Sequence, residues 1–276
     1  MSTMRMGKRA GFALRDLLAV ILLMVIAAAL LVPAVQRTHG GGAHTATMNN
    51  LHQCASAVHL AHDINKKYPS YYGLYEGKST PYTFHVHLLP FVDQLSLYKQ
   101  EPPLATAEVW PYLSTMDPTD SRDAGACNFV VNMRLFYTEG GLGTVSEGSN
   151  LIYPHMDHDL TKSTFRDGVS NTLLFATKYG RCGTNGGSLW LDPGNNAPTS
   201  PTAATFGVSM QLWQRAPTQA ACDPLAGTAV SFLPQSIQVA MCDASVRNVG
   251  VGVSQATWQA LHTPGAGDVV GADWDQ

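Results

Sequence analysis

The sequence predicts an α+β fold: a long N-terminal hydrophobic helix followed by a mainly antiparallel β domain with long loops. Three observations carry that expectation. One uninterrupted apolar run stands near the start of the chain. A helically spaced apolar stripe follows it. Beyond residue 100 the chain becomes a series of short apolar runs separated by Gly, Pro, Asn and Asp turn signals, a pattern of successive strands rather than of alternating strands and helices.

The run over 17–35, LLAVILLMVIAAALLVPAV, contains no charged or polar side chain. As a helix it extends roughly 28 Å, close to the ~30 Å of bilayer hydrocarbon. It exceeds the roughly 7–15 residues of a secretory apolar region. Arg5, Lys8 and Arg9 precede it, which places the N-terminus in the cytoplasm and everything after Val35 outside the inner membrane. The expectation is a single-pass inner-membrane protein with a transmembrane segment over 12–35 and an extracytoplasmic C-terminal domain.

Residues 36–67 read as an amphipathic continuation of the helix. Met48, Leu51, Ala55, Val58 and Ala61 recur at three- and four-residue spacing, one apolar face. Gly40-Gly41-Gly42 interrupts the pattern. Each glycine costs ~1 kcal/mol relative to Ala, so a kink, fraying or break is expected there. Pro69 closes the helix. His52, His59 and His62 fall on it as solvated residues, with 59 and 62 spaced for a metal pair as the alternative.

Residues 68–276 then form a β-rich globular domain. Tyr82 to Leu89 alternates as a half-buried strand, with a helix running into Phe91, Leu95 and Tyr98 as the competing reading. On such a strand His85 and His87 are exposed polar positions, or metal ligands from one face. Further strand candidates are 128–136, 172–178, 188–191, 208–214 and 236–241. Residues 194–205 form a low-complexity loop.

Four features converge in one short window. Gly11-Phe12 follows the basic stretch, Asp16 opens the apolar run, and Pro33 lies near its end. This window resembles the signal of type IV prepilins and pseudopilins. The resemblance implies a leader of residues 1–11, cleavage after Gly11 by a prepilin peptidase, and methylation of the new amino terminus at Phe12. Asp16 becomes the fifth residue of the mature chain, where the family usually has glutamate, and Pro33 the twenty-second. Arg15 stands where the family is normally apolar. The implied role of the acidic side chain is to meet the amino terminus of a neighbouring subunit during assembly, because a carboxylate in an apolar medium needs a cation.

Three further blocks resemble pilin-like proteins with domain of unknown function 1559. They are PYTFHVHLLPFVDQLSLY, then FRDGVSNTLLF with Asp167, Gly168, Ser170, Asn171 and Thr172, and finally CDASVRNV followed by ATWQALHTPGAGDVVGADW. With the N-terminal signal, the resemblance runs from Arg9 to Trp274. The family's C-terminal box is written His, nine residues, Asp-Gly. Here Asp243 matches, but Ala244 replaces the glycine and Leu233 stands at the histidine position. No catalytic or metal role carries over. The box reads as structural, with Asp243 in a hairpin turn before Ser245 and Arg247.

Chemistry is otherwise sparse. Lys+Arg total 17 against Asp+Glu 20, a net charge of -3, so no nucleic-acid partner is expected. Charged residues make up 13%, about half the usual ~25%, which favours export. Hydrolase, zincin, P-loop and dinucleotide motifs are missing from the sequence. His155-Met156-Asp157-His158-Asp159 and the trio Asp117, Asp120, Asp123 hold potential ligands, yet neither spacing fits a zinc or calcium motif. No metal and no cofactor are expected. Of five cysteines, Cys182 and Cys222 lie in loops beside Gly or Pro and are the expected disulfide. Cys127 and Cys242 read as buried small hydrophobes, and Cys54 as the unpaired residue on the helix.

The functional expectation is a non-enzymatic pilin-like subunit. It is inserted in the inner membrane and assembled through its N-terminal helix into a type IV pilus or a type II secretion-like filament. Its partners are the prepilin peptidase and other pilin-like subunits. The alternative is a monomeric membrane-tethered binding domain, for example for glycan.

Overall fold

The computed structural model describes residues 14–119, 125–138, 141–142, 145–147, 150–155, 165–192, 200–224 and 228–274. The side chains of residue 16, of 28–40 and of 137–155 are outside that description. The chain divides into two compact units, Met1–His44 and Thr45–Gln276.

Helix α1 spans Leu14–Asn65. Its helical backbone continues across Gly40-Gly41-Gly42, against the break expected from three glycines. Helix formation is cooperative, so extending two long flanks through a weak segment costs less than stopping and nucleating again. Where the helix ends, Lys66 turns to φ 56 and its N–H donates to the His62 carbonyl at 2.7 Å. The His62 ring stacks on Tyr68 at 4.2 Å between centroids, and Pro69 bars any further turn.

The expectation of a membrane-spanning segment requires correction. Among the described residues no helix is long and apolar enough to cross a membrane. The apolar stretch with described side chains covers 17–27. At 1.5 Å per residue that is roughly 16 Å, about half the ~30 Å of hydrocarbon. The transmembrane part of the expected fold class, and the single-pass inner-membrane location built on it, are therefore not supported. The chain is α+β with mostly strands.

Nine strands build the two larger sheets of the Thr45–Gln276 unit: β1 Ser70–Gly73, β2 Tyr82–Thr83, β3 Phe129–Asn132, β4 Val145–Glu147, β5 Asn150–His155, β6 Leu173–Thr177, β7 Thr205–Phe206, β8 Ser236–Met241 and β9 Val246–Gly250. The central sheet has the order β7-β3-β6-β8-β9. Three of its four pairings are antiparallel, with Val131 opposite Phe175, Ala240 opposite Phe175 and Gln238 opposite Asn248. The edge pairing β7–β3 is parallel, with Thr205 opposite Val131. Every residue of β3 and β6 is buried. Both faces of the sheet centre are thus covered, and those strands read as unbroken apolar runs rather than alternating ones. A second sheet has the order β2-β1-β5-β4.

One apolar core joins these parts. Leu51, Ala55 and Val58 of α1 share it with Phe129, Val131, Phe175 and Val239 of the sheet, all under 1% exposed. Fully burying a Leu, Val or Phe stabilises by about 1.5–3 kcal/mol, which fixes the second half of α1 by its apolar stripe.

Several strand expectations give way to shorter elements. The 82–89 segment is extended only over β2, and then turns into α2, Phe84–Leu88, with α3, Leu95–Tyr98, following. All five α2 side chains are buried, so His85 and His87 are interior rather than exposed. Period-two alternation fails here because β2 supplies two residues and α2 is enclosed on every side. Over 188–191 only Leu189 forms isolated bridges, to Ala126 and Ala203. Over 208–214 pairing begins only at Gln214. The 128–136 run stops being strand at Asn132 and continues as a 3-10 turn, Met133–Phe136.

Candidate functional site

Of the N-terminal signal, Gly11 and Phe12 lie outside the described residues. Asp16 and Pro33 fall within α1, and their side chains lie outside the description. What the structure shows of this region is exposure. Leu17, Leu18 and every large apolar residue over 20–26 are between 47% and 67% exposed, and Leu14 is 74% exposed. Successive helical residues are rotated by about 100°, so an unbroken run of seven presents apolar surface on every side. Monomeric proteins rarely leave such a surface in water.

The second region collects the motif residues of the Thr45–Gln276 unit, and the structure makes two adjoining turns of them. In the first, Gly168 takes φ 89, a conformation that side chains with a Cβ rarely adopt. Its N–H donates to the Phe165 carbonyl at 3.1 Å. The Asn171 side-chain amide donates to the Asp167 carbonyl at 3.0 Å, and the Thr172 hydroxyl to the Gly168 carbonyl at 3.1 Å. Polar side chains thereby complete the backbone bonds of a turn that delivers β6. In the second, Asp243 lies in the β8–β9 hairpin. Its Oδ1 accepts from the Ser245 N–H at 2.9 Å and from the Ser245 hydroxyl at 2.6 Å.

The two turns are joined. The Cys242 N–H donates to the Thr172 carbonyl at 2.8 Å, and the Ser170 hydroxyl bonds the Asp243 carboxylate. Partial burial pushes the Asp243 carboxyl up. The Ser245 hydroxyl and N–H, the Ser170 hydroxyl and the Arg247 guanidinium outweigh it and hold the group below the usual carboxylate range. Arg247 also covers the Trp274 ring at 4.8 Å. Asp167 differs. Burial and the neighbouring Asp268 push its carboxyl up, against the N–H groups of Gly267, Asp268 and Ala266. The cluster thus ties together the three segments that carry the C-terminal motifs.

Cys182 and Cys222 form a disulfide, with Cα atoms 5.1 Å apart. It belongs to a small separate core with Tyr179, Val230 and Phe232. Cys54, Cys127 and Cys242 are free and buried. Burial pushes all three thiols up, Cys127 to about 12, so they remain protonated and inert.

Among the described residues no group of three or more His, Cys, Asp or Glu side chains is placed to hold a metal ion. Asp120, Asp123 and residues 156–159 lie outside them. The Asp117 carboxylate is a loop clamp, accepting from Thr119, Asn128 and the Gly180 N–H at 2.7–3.0 Å. His52 Nδ1 and Ser56 Oγ, one helical turn apart, are 3.4 Å from each other.

The sequence reading missed the interior polar residues. His85 Nε2–H donates to the Phe129 carbonyl at 2.8 Å, and the Tyr112 hydroxyl to the His85 carbonyl at 2.6 Å. The Asn132 amide bridges the carbonyls of Leu173 and His262 at 2.8 and 2.9 Å. Lys178 is buried, with its ammonium on the Ala203 carbonyl at 3.0 Å, and burial lowers it to about 8. A polar residue inside an apolar run marks the positions of His85 and Asn132 in the sequence, but their partners lie 41 to 130 residues away. No family model matches the chain, and neither a curated protein nor a solved structure matches it.

Proposed function

We propose that this protein is a non-enzymatic, pilin-like structural subunit that assembles with other copies through the N-terminal part of α1. The observation that supports it is the fully circumferential apolar surface over 17–26, where nine large side chains are 47–67% exposed. About half of each is already covered, so complete burial would gain each about 1–2 kcal/mol. A like helix is the natural cover, because the same stretch is preceded by its own complementary charges. Arg15 and Asp16 stand side by side in sequence, so two axially offset copies can pair opposite charges where the apolar contact begins. Cleavage after Gly11 by a prepilin peptidase would add the amino group of Phe12 as a further cation for Asp16.

The experiment is Asp16→Ala in the full-length chain. It should leave processing after Gly11 intact, as read by N-terminal sequencing. Crosslinks between α1 helices of different copies should disappear, together with sedimentable filaments. Assembly equal to that of the parent would overturn the reading.

A further inference from the structure

A groove in the Thr45–Gln276 unit has the make-up of a ligand site and takes no part in the proposed assembly. It encloses about 620 Å³ between the outer face of α1, the segment between α2 and α3, and the turn at Trp110. That size falls within the ~300–1,000 Å³ of small-molecule sites. Trp110 is 56% exposed on its wall, whereas the other four tryptophans are at most 6% exposed. A large indole kept at the surface of a protein that buries the rest is unusual for a residue of this size. Phe91 faces it from the second wall.

The remaining lining narrows the ligand chemistry. Gln53, Gln94, His52 and Asp93 bring two amides, an imidazole and a carboxylate to the rim, and no lysine or arginine lines the groove. An anionic ligand would lack a cation, so phosphates and nucleic acids are disfavoured. A hydrophobic peptide or a lipid tail would leave these polar groups dehydrated and unpaired, at roughly 1–3 kcal/mol each. A neutral sugar matches both halves of the lining. Its C–H face lies flat on an aromatic ring, and its adjacent hydroxyls pair with amides and carboxylates, which each donate or accept twice. Phe91 also lines a second compartment of about 200 Å³ with Tyr75, Tyr98 and His87. Two compartments sharing one aromatic wall suit a chain of sugars rather than a single ring.

We propose that this groove binds a neutral oligosaccharide, with Trp110 as the stacking platform and Gln53, Gln94 and Asp93 as hydroxyl partners. The full-length protein is titrated separately with maltohexaose, cellohexaose and chitohexaose, with tryptophan emission as the readout. Trp110 is the exposed fluorophore, so occupancy should shift its emission and saturate with at least one of the three. Trp110→Ala and, independently, Gln53→Ala should weaken that binding at least tenfold while leaving the thermal unfolding midpoint unchanged. Absence of a saturable response to all three sugars overturns the proposal. So does a response that both variants retain at parental affinity, or saturable binding of an unglycosylated apolar decapeptide in their place. Because Asp16 is not involved, an assembly-deficient Asp16→Ala chain should bind the sugar as the parent does.

Discussion

At the scale of single residues, Ala244 carries an energetic cost that the chain could shed. It takes φ 65 in the β8–β9 hairpin, and its N–H donates to the Met241 carbonyl at 2.9 Å. A Cβ in the left-handed region costs about 1–2 kcal/mol, whereas glycine adopts it freely. Glycine also gives back some of that gain through the greater entropy of its unfolded chain. Ala244→Gly should therefore raise stability by about 0.5–1.5 kcal/mol, measured by urea unfolding with an unchanged m-value. A loss of stability would show that the turn is not strained. The position of this turn was legible because its chemistry is local: Asp243 meets Ser245 two residues away, as Asn171 meets Asp167 four residues away. Asn132 was not legible, since its partners are 41 and 130 residues distant. Lys178 was hidden for a similar reason, its acceptor lying 25 residues on in a separate segment.

Short elements obey a different logic. The β2–α2 junction could not be read from periodicity, because two strand residues and five helical ones are each too few to establish a period. Longer runs were readable: 236–241 became β8 and 172–178 contains β6, since each is long enough to show its apolar residues, Leu173, Leu174 and Phe175 in one and Ile237, Val239 and Met241 in the other. What pins the short elements is buried histidine. His85 fixes α2 to β3 through the Phe129 carbonyl. His262, just after α4, Gln255–Ala260, bonds the Trp258 carbonyl through Nδ1–H at 2.7 Å. Burial lowers both imidazoles to about 4, so both are neutral in the folded protein at pH 7.

Unfolded histidines take up protons near pH ~6.5, before the folded ones do. Stability is therefore complete above about pH 6.5, falls as pH drops, and the loss ends below about pH 4. Each group accounts for at most about 3 kcal/mol. A double His85→Gln, His262→Gln variant should show a flatter stability profile between about pH 6.5 and 4 than the parent in urea titrations. An identical slope would remove these histidines as its source.

The molecule as a whole joins two solutions to the hydrophobic effect. In residues 45–276 the apolar stripe of α1 was legible because helical spacing specifies one buried face, and Leu51, Ala55 and Val58 occupy that core. In residues 17–26 there is no stripe, only apolar surface on all sides. Composition there registers that a partner is needed without naming it, which is why the segment reads as a bilayer span. In the proposed assembly copies of the chain cover this surface for one another at lower demand on length, since helix–helix burial has no minimum span of ~30 Å.

The decisive test places charge on this surface without touching Asp16. Leu18, Leu22 and Val25 are 58–61% exposed and fall on one helical face. Leu18→Lys with Leu22→Lys should leave the thermal transition of the chain within about 0.5 kcal/mol of the parent, as exposed substitutions do. Self-association should fall at least a hundredfold, because a buried unpaired ammonium costs far more than the lost contact area. Sedimentation velocity reads the association and circular dichroism the fold. If the doubly charged chain associates as the parent does, then α1 is not the surface through which copies meet.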